Sequence, residues 1–177
     1  VCSSDLSHIH TSNNSYFDSQ LPKLAEADLS VSYDFSGQWT DPEKVARVAP
    51  YIRYAFLSCG SILVEEAEEI CRTIHKAGCP MVIATRGSYG SILYDGNRIY
   101  EQKPQLVEAV DTLGAGDSFA AAFLLSYVEN LEKAAEHPEK AKESKETFIK
   151  EAMASGAAFA AKTCMVQGAF GHGKKIQ

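Results

Sequence analysis

A chain of 177 residues can bury a sizeable core, and 45% hydrophobic with 23% charged residues is the make-up of an ordinary globular domain. A formal net charge of −6 argues against a nucleic-acid surface, which needs clustered Lys and Arg, and no apolar run has the length of a membrane span. Five cysteines without Cys-x-x-Cys spacing do not form a disulfide framework or a zinc site. Cys59, Cys71, Cys79 and Cys164 sit among apolar residues and read as buried thiols of a reducing, cytoplasmic compartment.

Residues Val1 to Leu6 match the translated end of a common sequencing adapter, and are expected to be a non-native scar without the basic flank or apolar core of a signal peptide. Ser7 to Asn13 alternates weakly, as a strand does. Phe17, Leu21, Leu24 and Ala25 recur at helical spacing and predict a helix over 17–27. Leu29, Val31, Tyr33 and Phe35 alternate and predict a strand. Asp41 and Pro42 predict a capped helix start, ending near Pro50. A strand over 52–57, a helix over 62–77 closed by Gly78 and Pro80, and a buried strand over 81–85 follow. Residues 90–94 and 98–100 predict a hairpin around Asp95-Gly96-Asn97. An Ala-rich helix over 118–128 leads into a Glu- and Lys-dense helical hairpin broken near His137-Pro138, then a second Ala-rich helix over 148–162. Alternating strands and helices predict an α/β fold with a mostly parallel sheet, whose ligands bind beyond the carboxyl ends of the strands.

The most informative segment is Asp111-Thr112-Leu113-Gly114-Ala115-Gly116-Asp117, directly ahead of an apolar helix. Small residues there present bare main-chain N–H groups at a helix N-terminus, where the dipole favours an anion. A carboxylate at the mouth of such a hole repels phosphate and is a poor choice for binding alone. It suits a base that takes the proton from a hydroxyl attacking a phosphoryl group. The bland alternative is an Asp that caps its own helix.

This segment resembles the second signature of the ribokinase-like (PfkB) sugar kinases. The resemblance implies a ribokinase-like three-layer sandwich, with ATP and Mg²⁺ as cofactors and a nucleotide and a small sugar as the bound partners. It implies Asp117 as catalytic base, with the main chain of Gly114, Ala115 and Gly116 holding the transferred phosphate. The N–H groups of Ala115, Gly116 and Asp117 are the expected donors. Thr85-Arg86-Gly87-Ser88-Tyr89-Gly90 is similar to the family's Thr-x-Gly-x-x-Gly turn along the nucleotide phosphates, with Arg86 in the free position. Asp111 and Thr112 join this nucleotide set, and carbonyls near Asp111 are a candidate seat for a monovalent cation. Ser155 and Lys162 fall on what resembles the adenine-side helix, where close helix packing is an equally good reading of the small residues. His172 is a weaker nucleotide candidate. Metal ligands are left unassigned, because the family's Asn-x-x-Glu is replaced by Ser58-Cys59-Gly60-Ser61, with Glu65 and Glu66 the nearest acids. His8 and His10 share a strand face but lack a third ligand.

Residues 7–177 thus read as the C-terminal part of a kinase domain, without the family's N-terminal sugar-binding half and lid. Tyr33-Asp34-Phe35-Ser36 with Trp39, Tyr54 to Ser58, and Ala160 to Thr163 with Gly168-Ala169 resemble the bacterial fructoselysine 6-kinases within that family. The acceptor this implies is fructoselysine or a related Amadori sugar, phosphorylated on its 6-hydroxyl, in a longer protein that can be a homodimer. Another sugar, a nucleoside or a vitamin as acceptor, or a fragment that binds nucleotide without turnover, stays open. A nicotinamide-binding domain is disfavoured, since no Gly-x-Gly-x-x-Gly follows the first strand.

Overall fold

The computed structural model describes residues 8–136 and 145–168. The expected scar at 1–6, the break at His137-Pro138, Ala169 and His172 lie outside them. The chain divides into two compact units, Val1–Gly87 with Ser91–Glu101, and Ser88–Gly90 with Gln102–Gln177.

Six strands form one sheet in chain order: β1 (His8–Ser12), β2 (Ser30–Ser36), β3 (Tyr54–Ser58), β4 (Met81–Thr85), β5 (Ser91–Tyr94) and β6 (Ile99–Gln102). β1 to β4 are parallel and β5 runs antiparallel to β4, so the sheet is mostly parallel as expected. The connections are α1 (Leu21–Glu26), α2 (Pro42–Val48) and α3 (Val64–Lys76). Val31, Tyr33 and Phe35, the alternating residues of β2, are all fully buried. They join Ala55, Leu57, Val82 and Ala84 of the neighbouring strands and Leu21, Val48, Cys71 and Ile74 of the helices in one core. Full burial of a side chain of this size contributes about 1.5–3 kcal/mol.

Local chemistry sets the element ends. Asp41 caps α2 with one carboxylate oxygen, which accepts the N–H groups of Glu43 at 3.0 Å and Lys44 at 3.2 Å. Past α3, Gly78 has φ +121°, and a Cβ there would lie 2.9 Å from Pro50 Cα. The helix expected over 17–27 is shorter. A 3-10 turn at Asp18–Gln20 precedes α1, Pro22 occupies the first turn, and the chain leaves through Asp28 at φ 54°. Asp95 holds the β5–β6 turn by accepting the N–H groups of Asn97 and Arg98, each at 3.0 Å.

The second unit is built on α4 (Ala115–Glu136) and α5 (Lys145–Cys164). Both exceed their predicted spans of 118–128 and 148–162. Part of the charged stretch extends the two helices, where Glu129–Lys133 and Glu146–Lys150 pair at i,i+4 with 3.3 and 2.7 Å separations. Phe119, Phe123 and Tyr127 stack along α4 with centroids 6.4 and 5.7 Å apart. Gly156 lets α5 approach that row: a Cβ there would lie 3.0 Å from the Phe119 ring and carbonyl oxygen.

Candidate active site

Ahead of α4 the chain turns through Leu113 and Gly114. Gly114 has φ +80°, a backbone that favours glycine, and its carbonyl accepts the Ser118 N–H at 2.9 Å, the first bond of the helix. Ala115, Gly116 and Asp117 therefore fill the first three helical positions. The Ala115 N–H donates to the Thr112 carbonyl at 3.2 Å, which removes it from the expected donor set. Gly116 and Asp117 are left as the donors with no acceptor inside the helix, at the positive end of a 22-residue dipole. The Asp117 side chain is exposed. A Cβ on Gly116 would meet nothing within 4 Å. Neither its backbone conformation nor its packing requires glycine, although glycine in a helix costs about 0.5–1 kcal/mol relative to alanine. The missing side chain keeps the space over the helix mouth open to a ligand.

The end of α5 holds this turn in place. The Cys164 carbonyl accepts the N–H groups of Val110 at 2.8 Å and Asp111 at 3.2 Å. Asp111 accepts the Leu113 N–H at 3.0 Å on one carboxylate oxygen and the Gly168 N–H at 2.9 Å on the other. The N–H groups of Leu113, first, and of Gly168 hold its carboxyl below the usual carboxylate range. Both oxygens of Asp111 thus work within the turn. One residue past Asp117, the buried Ser118 hydroxyl meets the buried Thr163 hydroxyl at 2.6 Å. All of these bonds except the one from Leu113 join distant parts of the chain, and local sequence rules do not show them. The only sequence trace of them is an Asp two residues ahead of Leu113, the spacing of an Asx turn.

The other expected site residues divide between structural and open roles. In the first unit, the Thr85 hydroxyl donates to the Leu57 carbonyl at 3.1 Å, leaving its oxygen as an acceptor. The Arg86 Nε–H donates to the Ile62 carbonyl at 2.9 Å, so this side chain is anchored on the loop after β3. Gly87 has φ +55° and open space at its Cβ position. Gly90 has φ +87°, and a Cβ there would collide with the Gln102 carbonyl oxygen and Pro104, so packing demands this glycine. On α5, Ser155 is half-buried, Lys162 is exposed, and the neighbouring Gly156 serves helix packing. Thr112 is exposed, with its carbonyl on Ala115. Val110, Leu113, Met165 and Val166 form an exposed apolar set on the segments that Cys164 and Asp111 join, which the sequence reading passed over.

Among the described residues no three His, Cys, Asp or Glu side chains group as metal ligands, and Glu65 and Glu66 are exposed at the start of α3. His8 and His10 instead share the Ser32 hydroxyl at 2.9 and 2.7 Å, and burial, then the neighbouring His10, lowers the His8 pKa to about 4. Cys59, Cys71 and Cys79 are buried, and Cys164 is only partly so. Burial pushes the Cys59 thiol up to about 11, which makes it unreactive. No helix among the described residues is long and apolar enough to cross a membrane.

Residues 59–170 match the model of the pfkB family carbohydrate kinase, more than half of the chain. The chain is similar to fructosamine kinase FrlD of Bacillus subtilis (strain 168), with 39% identity over 165 residues, 93% of this chain and 52% of that protein. It is also similar to fructoselysine 6-kinase of Escherichia coli (strain K12), with 31% identity over 166 residues, 92% of this chain and 55% of that protein. The chain spans about half the length of these curated relatives. Among solved structures, the ribokinase of Thermotoga maritima superposes with a TM-score of 0.67 at 23% identity, over 93% of this chain and 53% of that one. Arabidopsis thaliana ribokinase complexed with ribose and ATP gives 0.67 at 22% identity, over 92% and 51%. The fold is therefore the ribokinase-like α/β fold.

Proposed function

The chain belongs to the PfkB family of carbohydrate kinases, and from that premise we propose that it carries the phosphoryl-transfer machinery of an ATP-dependent sugar kinase. The acceptor is a primary hydroxyl, and fructoselysine or a related Amadori sugar is the substrate, phosphorylated at its 6-position. The relatives' fructosamine and fructoselysine kinase activities support that choice. The observation that carries the reading is the pairing of an exposed Asp117 carboxylate with the uncommitted N–H groups of Gly116 and Asp117, under the opening that a Gly116 side chain would fill.

In the proposed step Asp117 accepts the proton of the attacking hydroxyl. The hydroxyl oxygen bonds to the terminal phosphorus as the bond to the leaving diphosphate oxygen breaks. The two N–H groups and the helix dipole stabilise charge on the moving phosphoryl group. Asp111, Ser118 and Thr163 hold the turn rather than the substrate. Val110, Leu113, Met165 and Val166, each exposed near the turn, are the apolar side chains assigned to the base of the nucleotide in this reading. Mg²⁺ would neutralise nucleotide phosphates, but the described residues supply no ligand cluster for it, and no residue is assigned to it.

Phosphoryl transfer from ATP to fructoselysine, ribose and a nucleoside tests the reading. Asp117→Asn should lower turnover roughly a hundredfold or more while nucleotide affinity holds. Unchanged turnover refutes Asp117 as the base. The open N–H groups of Gly116 and Asp117 also suit one second reading, nucleotide binding without turnover. ATP binding with no product from any acceptor would establish it.

A further inference from the structure

The first unit has a cleft of about 440 Å³ that uses none of the residues placed in the phosphoryl-transfer machinery. Asn13, Asn14 and Tyr16 reach it from the loop after β1, Gln38 from the loop after β2, Asp18 from the 3-10 turn, and Lys44 and Arg47 from α2. It therefore opens beyond the carboxyl ends of two parallel strands, where sheets of this kind bind ligands. Its volume falls in the range of small-molecule sites.

The charge in this cleft is not balanced by its own lining. Lys44 Nζ and Arg47 Nη2 lie 3.6 and 3.7 Å from the same oxygen of Asp18. The other Asp18 oxygen accepts the Tyr33 hydroxyl at 2.7 Å. Two cations thus share one carboxylate, and the Lys44 side chain is only 9% exposed. Lys44 takes the carboxylate and lies 5.9 Å over the Tyr33 ring, so the surplus positive charge sits at the exposed Arg47, where an anion entering the cleft can meet it. Donors for that anion are present as well. The Asn13, Asn14 and Gln38 side chains bring amide NH₂ groups to the lining. Tyr16 is 95% exposed yet held at φ 54°, an unfavourable backbone for a residue with a side chain and one found at ligand clamps.

We infer that this cleft binds the anionic end of a small polar ligand. Resting on the kinase reading above, that end is the α-carboxylate of the amino acid joined to an Amadori sugar. A neutral sugar would leave Lys44 and Arg47 with the single Asp18 carboxylate to share. A phosphate would meet repulsion from Asp18, whereas an amino-acid end places a carboxylate on the two cations and its ammonium toward Asp18.

The test titrates the chain with fructoselysine, its α-carboxamide and inorganic phosphate, without ATP. It follows the side-chain amide NMR signals of Asn13, Asn14 and Gln38. Fructoselysine should shift these signals, and the carboxamide should bind roughly tenfold more weakly or worse, having lost a charge-assisted contact. Arg47→Gln, at a side chain 55% exposed, should abolish that difference while the thermal midpoint holds. Equal affinity for acid and amide, or discrimination that survives Arg47→Gln, overturns the proposal. Phosphate shifting the signals where fructoselysine does not overturns the amino-acid source. Discrimination here without phosphoryl transfer upholds the cleft and refutes the kinase reading, and the reverse outcome refutes the cleft alone.

Discussion

Replacing Gly116 by alanine should move stability and ligand binding in opposite directions. Gly116 is the second residue of α4, and a Cβ built on it meets nothing within 4 Å. The methyl group therefore strains no packing, and the helix gains the alanine preference of about 0.5–1 kcal/mol. In a domain of this size that raises the thermal midpoint by roughly 1–4 °C. The same methyl group occupies the space through which a phosphate oxygen would reach the Gly116 and Asp117 N–H groups. A hydrogen bond to a charged group is worth about 1.5–3 kcal/mol, so losing one weakens nucleotide binding by roughly ten- to a hundredfold. Thermal unfolding with and without an ATP analogue reads both effects in one experiment. A variant that is more stable and binds the analogue as tightly as the parent chain would show that the opening over Gly116 serves no ligand.

The same residue type has the opposite outcome on α5. Gly156→Val places methyl groups where even a Cβ is 3.0 Å from the Phe119 ring and carbonyl oxygen, so overpacking should cost about 1–3 kcal/mol, read as a lower thermal midpoint. Asp111 makes the turn sensitive to acid. Its carboxyl is held below the usual range in the folded chain, so its stabilising bonds are intact above the ordinary carboxylate pKa of about 3.9 and are lost as pH falls below it, through the folded value. Hydrogen exchange at the Leu113 and Gly168 amides should accelerate over that acid window and not above it. Protection that does not change with pH would remove Asp111 as the clamp.

The sequence is legible where one local rule decides. The alternation Val31, Tyr33, Phe35 marks a buried strand face, and all three side chains are fully buried. Asp41 and Pro42 mark a helix start, and both are found at their predicted positions. Gly114 and the helix after it were legible for the same reason, since a left-handed residue followed by an Ala-rich run has few alternatives. What local rules leave open depends on distant partners. Gly90 carries a packing requirement from Gln102 and Pro104 that its motif does not show, and at Gly156 the contact with Phe119 supplies the helix packing that the sequence left equal with a place beside the adenine. Arg86 occupies the variable position of its motif, and the motif does not show that the Ile62 carbonyl, 24 positions away, holds its Nε–H. Lys44 was invisible as a candidate, because burial beside Asp18 and Tyr33 follows from how α2 packs on β2.

The pattern of bonds around Asp117 differs from that of a self-capped helix start. A helix N-terminus that only caps itself needs one acceptor side chain in its own first turn. Here the stabilising groups come from elsewhere: Cys164 and Gly168 hold Asp111, and Thr163 holds Ser118. Each tie spans at least 45 residues of sequence, so it restricts the turn through the body of α5 and not through the turn's own backbone. Asp117 sits between these anchored positions and is itself exposed in the first turn of α4. A turn anchored on both sides of an exposed carboxylate fixes the backbone from which that group meets a hydroxyl. That is the arrangement in which proximity lowers a barrier. The Ser118–Thr163 bond is thus a positioning contact for the proposed base: both hydroxyls are buried, and removing either leaves its partner without its acceptor or donor.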